Sequence, residues 1–547
     1  MPSRRSVVFV CLIAVLFFIA NRAAYQGYFS GDDLDNIYQT SRASAGVFAR
    51  GVVTPIFNPD NFRPVGHAFY WLMGAVAGLR FAPYLAAVQV LHGVVTLLIF
   101  VLARKLGAAT SAAAIGALFF VFHMALFDAF WKPMYVFDVF CALFAYLSVL
   151  AWLRSGNDWR WCVVSFVCFW LAYKSKEVAV MLPAVLFLLE YRGSRQWLRL
   201  APFFAVSLSF GIQALVSNQS GAYHLALTPQ TFAATADFYA SHAMLRKVGL
   251  LALLTIVGLA RDRFGAVAGL LFLLPMLALP GRLSPAYLYV PLAFVALLVA
   301  SAAERAPKLA SLALAVWLAF NFVEMRHLRS DALAEARQSH DYVATLERNR
   351  AELMRAPGIR FDGYPRALNV WGSEAAVSLV ANREKLDRSS PDALTLSWQP
   401  GEGRLYLFDD RLVDDRLVSY LDMSTGTPIG VAYAGGWYEP ERDLRWSKPE
   451  ARLRLLRPAT ATSFEWKIFV PAAQLQAAHG KVTLEALIGG QPIGHFVVEA
   501  IGWQTLEAKL LVASPGAVDV ELRVAPSFRP DADGREVGIA VGGIGFK

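Results

Sequence analysis

Cysteine and charge are both scarce in this chain. Of 547 residues only four are cysteines: Cys11, Cys141, Cys162 and Cys168, all inside apolar runs. That set offers neither a disulfide framework nor a zinc-type cluster. Charged residues make up 17% of the chain, against roughly a quarter in soluble domains. The motifs G-x-x-x-x-G-K-[ST], G-x-S-x-G and H-E-x-x-H are missing as well. The sequence therefore carries no nucleotide-driven motor, serine-hydrolase elbow or zincin helix. The formal charge is +9, yet no basic stripe with interleaved aromatics lies outside the apolar region. Nucleic-acid binding is excluded on that ground.

What the chain has instead is apolar sequence. Hydrophobic residues reach 56% and the mean hydropathy is +0.44. The excess fills the first three-fifths and is absent from the rest, which implies lipid for one part and water for the other. Met1 to Ala20 reads as an uncleaved signal anchor behind Arg4 and Arg5. Further spans are expected near 83–103, 109–127, 134–153, 161–173, 177–191, 200–217, 247–260, 264–280, 285–303 and 308–324. That makes about eleven spans at a length of ~20 residues. With a cytoplasmic N-terminus, the inside turns carry Arg104-Lys105, Arg154 with Arg160, Arg192 with Arg195 and Arg199, Arg261 with Arg263, and Arg305 with Lys308. Each is basic, as the positive-inside rule requires, and an odd span count leaves the C-terminus outside. The expectation is a bacterial inner-membrane protein with an extracytoplasmic C-terminal domain.

Past the last span the pattern changes. Residues 1–324 form the expected membrane domain and 325–360 a charged helical neck. Residues 361–434 are mixed, with strand-like "ALNVW" and "GRLYLFDD". Residues 435–547 show period-2 runs between Gly, Pro and Asp turns, among them "SFEWKIFVPA" and "VDVELRVAP". These predict an antiparallel β-sandwich.

Ionisable residues at membrane boundaries are expensive and mark functional sites. The first outside loop holds Gly31-Asp32-Asp33-Leu34-Asp35. Carboxylates this close raise one another's pKa, so one can act as a general base or the group can bind a divalent cation. The same loop carries Asn61-Phe62-Arg63-Pro64-Val65-Gly66-His67, where Arg63 suits a phosphate through paired hydrogen bonds. An amphipathic stretch, Ala68 to Leu79, follows it and suits the interface plane. The outside turn Tyr173-Lys174-Ser175-Lys176-Glu177 breaks the positive-inside trend. Lys174 and Lys176 can hold a phosphate there, with Glu177 orienting a lysine. His123, Asp128, Lys132 and Asp138 stand where they can face the same cavity as Asp33. Arg282, near Tyr287 and Tyr289, is one more outside cation at a membrane boundary.

In their order these stretches resemble polytopic glycosyltransferases of the GT-C class, and within it the protein O-mannosyltransferases. The matching segments are "GDDLDNI", "NFRPVGHAFYWL", "VQVLHGVVTLLIFVLARKLG", "FFVFHMALFDAFWKPMYVFDVFCALFAYLSVLAWLR", "WLAYKSKEVAVMLPAVLFLLEY" and "PAYLYVPLAFVALL", within residues 31–298. The resemblance implies an inverting sugar transfer from a polyprenyl-phosphate donor to a glycan, lipid-linked or protein acceptor. Asp33 or Asp32 would be the base, with Arg63, Lys174, Lys176 or Arg282 stabilising the leaving phosphate and Glu177, Asp128 and His67 in support. Three departures stand out. The tetratricopeptide tail of such proteins is missing. Pro285-Ala286 precede "YLYVP" where Glu-Arg is usual. Asp128 stands where Glu is common. The C-terminal segment resembles a β-sandwich module found on bacterial glycosyltransferases. There Trp437, Tyr438 and Trp446 can stack on sugar rings, with Glu439 and Arg445 on hydroxyls, or can fill the core. A transporter or flippase for lipid-linked glycans and a non-catalytic assembly protein are the alternative readings.

Overall fold

The fold was read from a computed structural model. It describes residues 4–547 except 56–61, 157, 193–195, 218–224, 245–248, 384–385, 388–392, 401–402, 410–416, 424–428, 431, 442, 511–513 and 531–534. Asn61 falls outside the described residues, as do the side chains of Cys11 and Glu439. The chain forms two compact units. One is Met1–His340 with Arg366–Ala376, the other Asp341–Pro365 with Val377–Lys547.

The first unit is helical, and every expected span coincides with helix. Among the described residues, Phe81–Lys105, Pro133–Ser155, Pro285–Arg305 and Pro307–Arg348 are long and apolar enough to cross a membrane. Thr110–Val121 and Met124–Trp131 make a fifth candidate, bent by 47°. The bend has a local cause. The ring of His123 accepts a hydrogen bond from the Ala125 amide and bonds the Ala243 carbonyl at 2.9 Å, which takes its backbone out of the helix. Other expected spans are shorter helices. Trp159–Ser175 has 17 residues and Gly249–Leu259 has 11, or roughly 26 and 17 Å of rise. Several helices open on a proline whose missing N–H leaves no donor unsatisfied, as at Pro64 and Pro229. The expected boundary at 324 falls inside one continuous helix, Pro307–Arg348.

Small residues set the helix spacing. Gly116 lies against the Ala296 carbonyl, and a Cβ at Gly265 would meet Phe294 O at 2.5 Å. The helix Tyr289–Arg305 is thereby gripped from two sides, as membrane helices pack where side chains are small. Two polar contacts cross between elements of the bundle. His92 meets the Tyr289 hydroxyl at 2.8 Å, and the Trp131 indole donates to Asn21 at 2.8 Å.

Thirteen strands occur among the described residues: β1 (Ile359–Asp362), β2 (Leu394–Gln399), β3 (Arg404–Asp409), β4 (Tyr420–Asp422), β5 (Ile429–Gly430), β6 (Ala432–Glu441), β7 (Leu444–Arg457), β8 (Ser463–Val470), β9 (Val482–Ile488), β10 (Gln491–Val498), β11 (Gly502–Lys509), β12 (Gly516–Ala525) and β13 (Ala540–Phe546). A small sheet runs β1-β2-β3-β5. The large one runs β10-β9-β12-β7-β13-β8-β11, with β4 on β13 and β6 on β7. Its end strands come together, for Gly494 of β10 lies beside Ala508 of β11. The sheet thus wraps into a nearly closed sandwich. Alternate residues point inward: Phe464, Trp466, Ile468 and Val470 of β8 meet Leu453 and Leu455 of β7 and Val520 and Leu522 of β12 in one core. The segment "ALNVW" is not a strand. Asn369 opens the helix Asn369–Ala381, and its side-chain oxygen accepts from the Gly372 amide at 2.9 Å.

Candidate active site

The acidic loop separates its carboxylates by environment. Gly31 adopts φ +53°, a left-handed turn that glycine tolerates, and the helix Asp33–Ser41 begins two residues later. Asp33 is completely buried in its first turn. One carboxylate oxygen accepts from the Ser30 amide at 3.0 Å and the other from the Tyr70 hydroxyl at 2.6 Å. Tyr70, also fully buried, comes from the helix Pro64–Ala77. Burial pushes the Asp33 carboxyl up to about 7, and the charge of Asp32 acts in the same direction. The bonds from Ser30 and Tyr70 and the charge of Lys132 oppose it. The result is a carboxylate poised near neutrality. Asp32 is exposed. Burial also raises Asp35, to about 6, while Gln39 donates to it at 2.6 Å.

Beside this carboxylate the cations gather, each with an acidic partner. Arg63 clasps Glu177 through two bonds, at 3.0 and 2.8 Å. Lys176 contacts both oxygens of Asp138, at 2.6 and 2.5 Å. Lys132 lies 3.2 Å from Asp128 and 3.1 Å from Glu335. Glu177 therefore steadies Arg63 rather than a lysine, and Asp138 takes Lys176. The Phe137 ring joins the parts. The Arg63 guanidinium sits 5.6 Å from its centre, His67 5.2 Å and Tyr70 6.1 Å. Gly66 makes room for that ring, since a Cβ there would collide with it. His67 bonds the Arg63 backbone through Nδ1. Tyr287 lies under the Lys176 ammonium at 4.7 Å.

The remaining expected residues have surroundings of their own. Lys174 is buried with its ammonium 5.3 Å from the rings of Trp170 and Tyr173. Arg282 sits on the turn Pro280–Arg282. In the β-sandwich, Trp446 is buried against Val537 and Ala540, and Trp437 packs on the main core while donating to Arg452 O at 3.0 Å. Tyr438 donates to Glu536 O at 2.8 Å, with Lys448 and Arg535 against its ring. Trp446 is thus part of a small buried cluster, while Trp437 and Tyr438 are partly exposed. Among the described residues no group of three or more His, Cys, Asp or Glu could hold a metal ion. No local signal marks Tyr70 or Asn369 as site residues. Tyr70 stands one helical turn past Gly66, but its partner lies 37 residues back.

No family model and no curated protein matches the chain. Two solved structures resemble it, both of ArnT from Cupriavidus metallidurans. The apo form aligns over 70% of this chain and 85% of its own, at 13% identity and a TM-score of 0.46. The form bound to undecaprenyl phosphate covers the same shares at 15% identity and a TM-score of 0.43. The chemistry of the site rests on this chain's own residues.

Proposed function

We propose that the protein is a membrane glycosyltransferase that moves a sugar from a polyprenyl phosphate to an acceptor hydroxyl outside the cytoplasm, with Asp33 as the general base. The observation that carries the reading is Asp33 itself. It is a fully buried carboxylate, raised towards neutrality, near Lys132 and linked through Tyr70 and Phe137 to Arg63. In the reaction the acceptor oxygen attacks the anomeric carbon and Asp33 takes its proton. The bond from that carbon to the phosphate oxygen breaks, and the electron pair leaves with the phosphate. Attack opposite the leaving group inverts the anomeric centre.

The carrier phosphate goes from a singly charged diester to a more negative monoester. Cations fixed beside it favour the later state, which is differential stabilisation of the transition state. Arg63, Lys176 and Lys132 supply that field, and their carboxylate partners hold them in place at membrane depth. The lipid-linked donor and the inverting transfer follow from the family resemblance rather than from the geometry. The test is Asp33→Asn in proteoliposomes charged with a polyprenyl-phosphate sugar. Turnover is expected to fall by about 10² to 10⁴, with the protein still folded. Wild-type turnover by that variant would remove Asp33 from the role.

A further inference from the structure

The acidic loop is not held by its own neighbourhood alone. A segment more than three hundred residues downstream, Arg366–Ala376, belongs to the same compact unit as the loop. It touches the loop at three points. The Gly31 amide donates to the Ala367 carbonyl at 2.7 Å. Gly372 lies so close to the Gly31 carbonyl that a Cβ there would clash with it. Asn369 donates from its side-chain nitrogen to an Asp32 carboxylate oxygen at 2.9 Å.

The orientation of the Asn369 amide is fixed by chemistry. Its oxygen accepts from the Gly372 N–H at 2.9 Å. The –NH₂ end must therefore point the other way, to the carboxylate. The backbone is committed too. Asn369 has φ +53°, a conformation that among residues with a side chain Asn and Asp adopt most readily. One residue thus caps a helix, turns the chain and holds Asp32.

We propose that Asn369 is a positioning residue for the transfer reaction: it pins Asp32, and through the Gly31-Asp32-Asp33 turn it sets Asp33 against the acceptor hydroxyl. This rests on the reading of Asp33 as the base. The anchor acts where the loop is least supported. Asp33 has Ser30 and Tyr70, whereas Asp32 is exposed. Catalytic geometry is sensitive at this scale, since a displacement of about 1 Å can lower a rate by about 10².

The informative variant is Asn369→Asp. Aspartate tolerates the backbone and keeps the cap on Gly372, but it replaces a donor by a like charge facing Asp32. We expect kcat to fall about tenfold to a hundredfold, with KM for the lipid-linked donor within about twofold of wild type. The exchange variant Asp32→Asn/Asn369→Asp rebuilds the bond with donor and acceptor swapped, and should bring kcat back to within about threefold. Unchanged kcat in Asn369→Asp overturns the proposal, as does a loss that the exchange leaves uncorrected. Asp33→Asn, assayed alongside, tests the base by itself, because the Asn369 variants leave Asp33 intact.

Discussion

At the scale of single residues, the proposed chemistry turns on the contrast between Asp32 and Asp33. Both are carboxylates in one turn, but Asp33 is buried with Ser30 and Tyr70 on its oxygens, and Asp32 is exposed with Asn369 on one of its own. Two variants should move the pH profile in opposite directions. The Tyr70 hydroxyl bonds the charged form of Asp33 and so lowers its pKa, while the Asp32 charge raises it. Removing the bond in Tyr70→Phe should raise the Asp33 pKa further. The acid limb of kcat/KM then shifts to higher pH, by about one unit. Asp32→Asn removes the like charge, so the same limb should shift to lower pH. Both are read from kcat/KM against pH, whose acid limb in the wild type should fall near the value of about 7 set by burial. Shifts of the same sign in the two variants would contradict this account of what tunes the base.

At the scale of elements, ion pairs and close helix contacts hold the site together. The Lys176–Asp138 pair has side chains only 11% and 4% exposed. Lys176→Met leaves a buried carboxylate without its cation and should cost about 3 kcal/mol. The double variant Lys176→Met/Asp138→Leu should recover most of that stability, because neither charge then remains. Transfer activity should stay low in both, since the cation is gone from each. Thermal melting in detergent together with a turnover assay separates the two effects. A second test concerns packing. Gly66→Ala would push the Phe137 ring from its place between Tyr70 and Arg63. Overpacking of this kind costs about 1–3 kcal/mol, and turnover should drop with it.

The same scale shows what the sequence could and could not tell. Alternation in "SFEWKIFV" placed β8 correctly, because a strand with one buried face writes its period into the chain. Long apolar runs marked the helices of the first unit for a similar reason. The run "ALNVW" misled, because Ala367 and Leu368 are buried just before a helix start, Val370 and Trp371 are exposed within it, and the deciding group is one capping asparagine. At the site, residue types and their crowding at membrane boundaries were legible. Partners were not: nothing local pairs Arg63 with Glu177, 114 positions on, or Asn369 with Asp32, 337 positions back. Such pairs exist only once the helices are packed.

At the scale of the whole molecule, the proposal depends on which side of the bilayer the acidic loop faces. The basic inside turns argue for a cytoplasmic N-terminus and an outward Asp33. A polyprenyl carrier cannot leave the membrane, so the donor must be met from within it, and the acceptor fixes the side. Cysteine scanning can decide this because the chain has few native thiols to replace. Ser41, at the end of the helix that Asp33 opens, is exposed, and so are Ser527 in the sandwich domain and Lys105 in a turn expected to face the cytoplasm. In a cysteine-free background, Ser41→Cys and Ser527→Cys should react with an impermeant maleimide on intact spheroplasts. Lys105→Cys should react only after permeabilisation. If Lys105→Cys were labelled first and Ser41→Cys protected, the site would open to the cytoplasm. An extracytoplasmic acceptor would then be out of reach of Asp33, whatever its pKa.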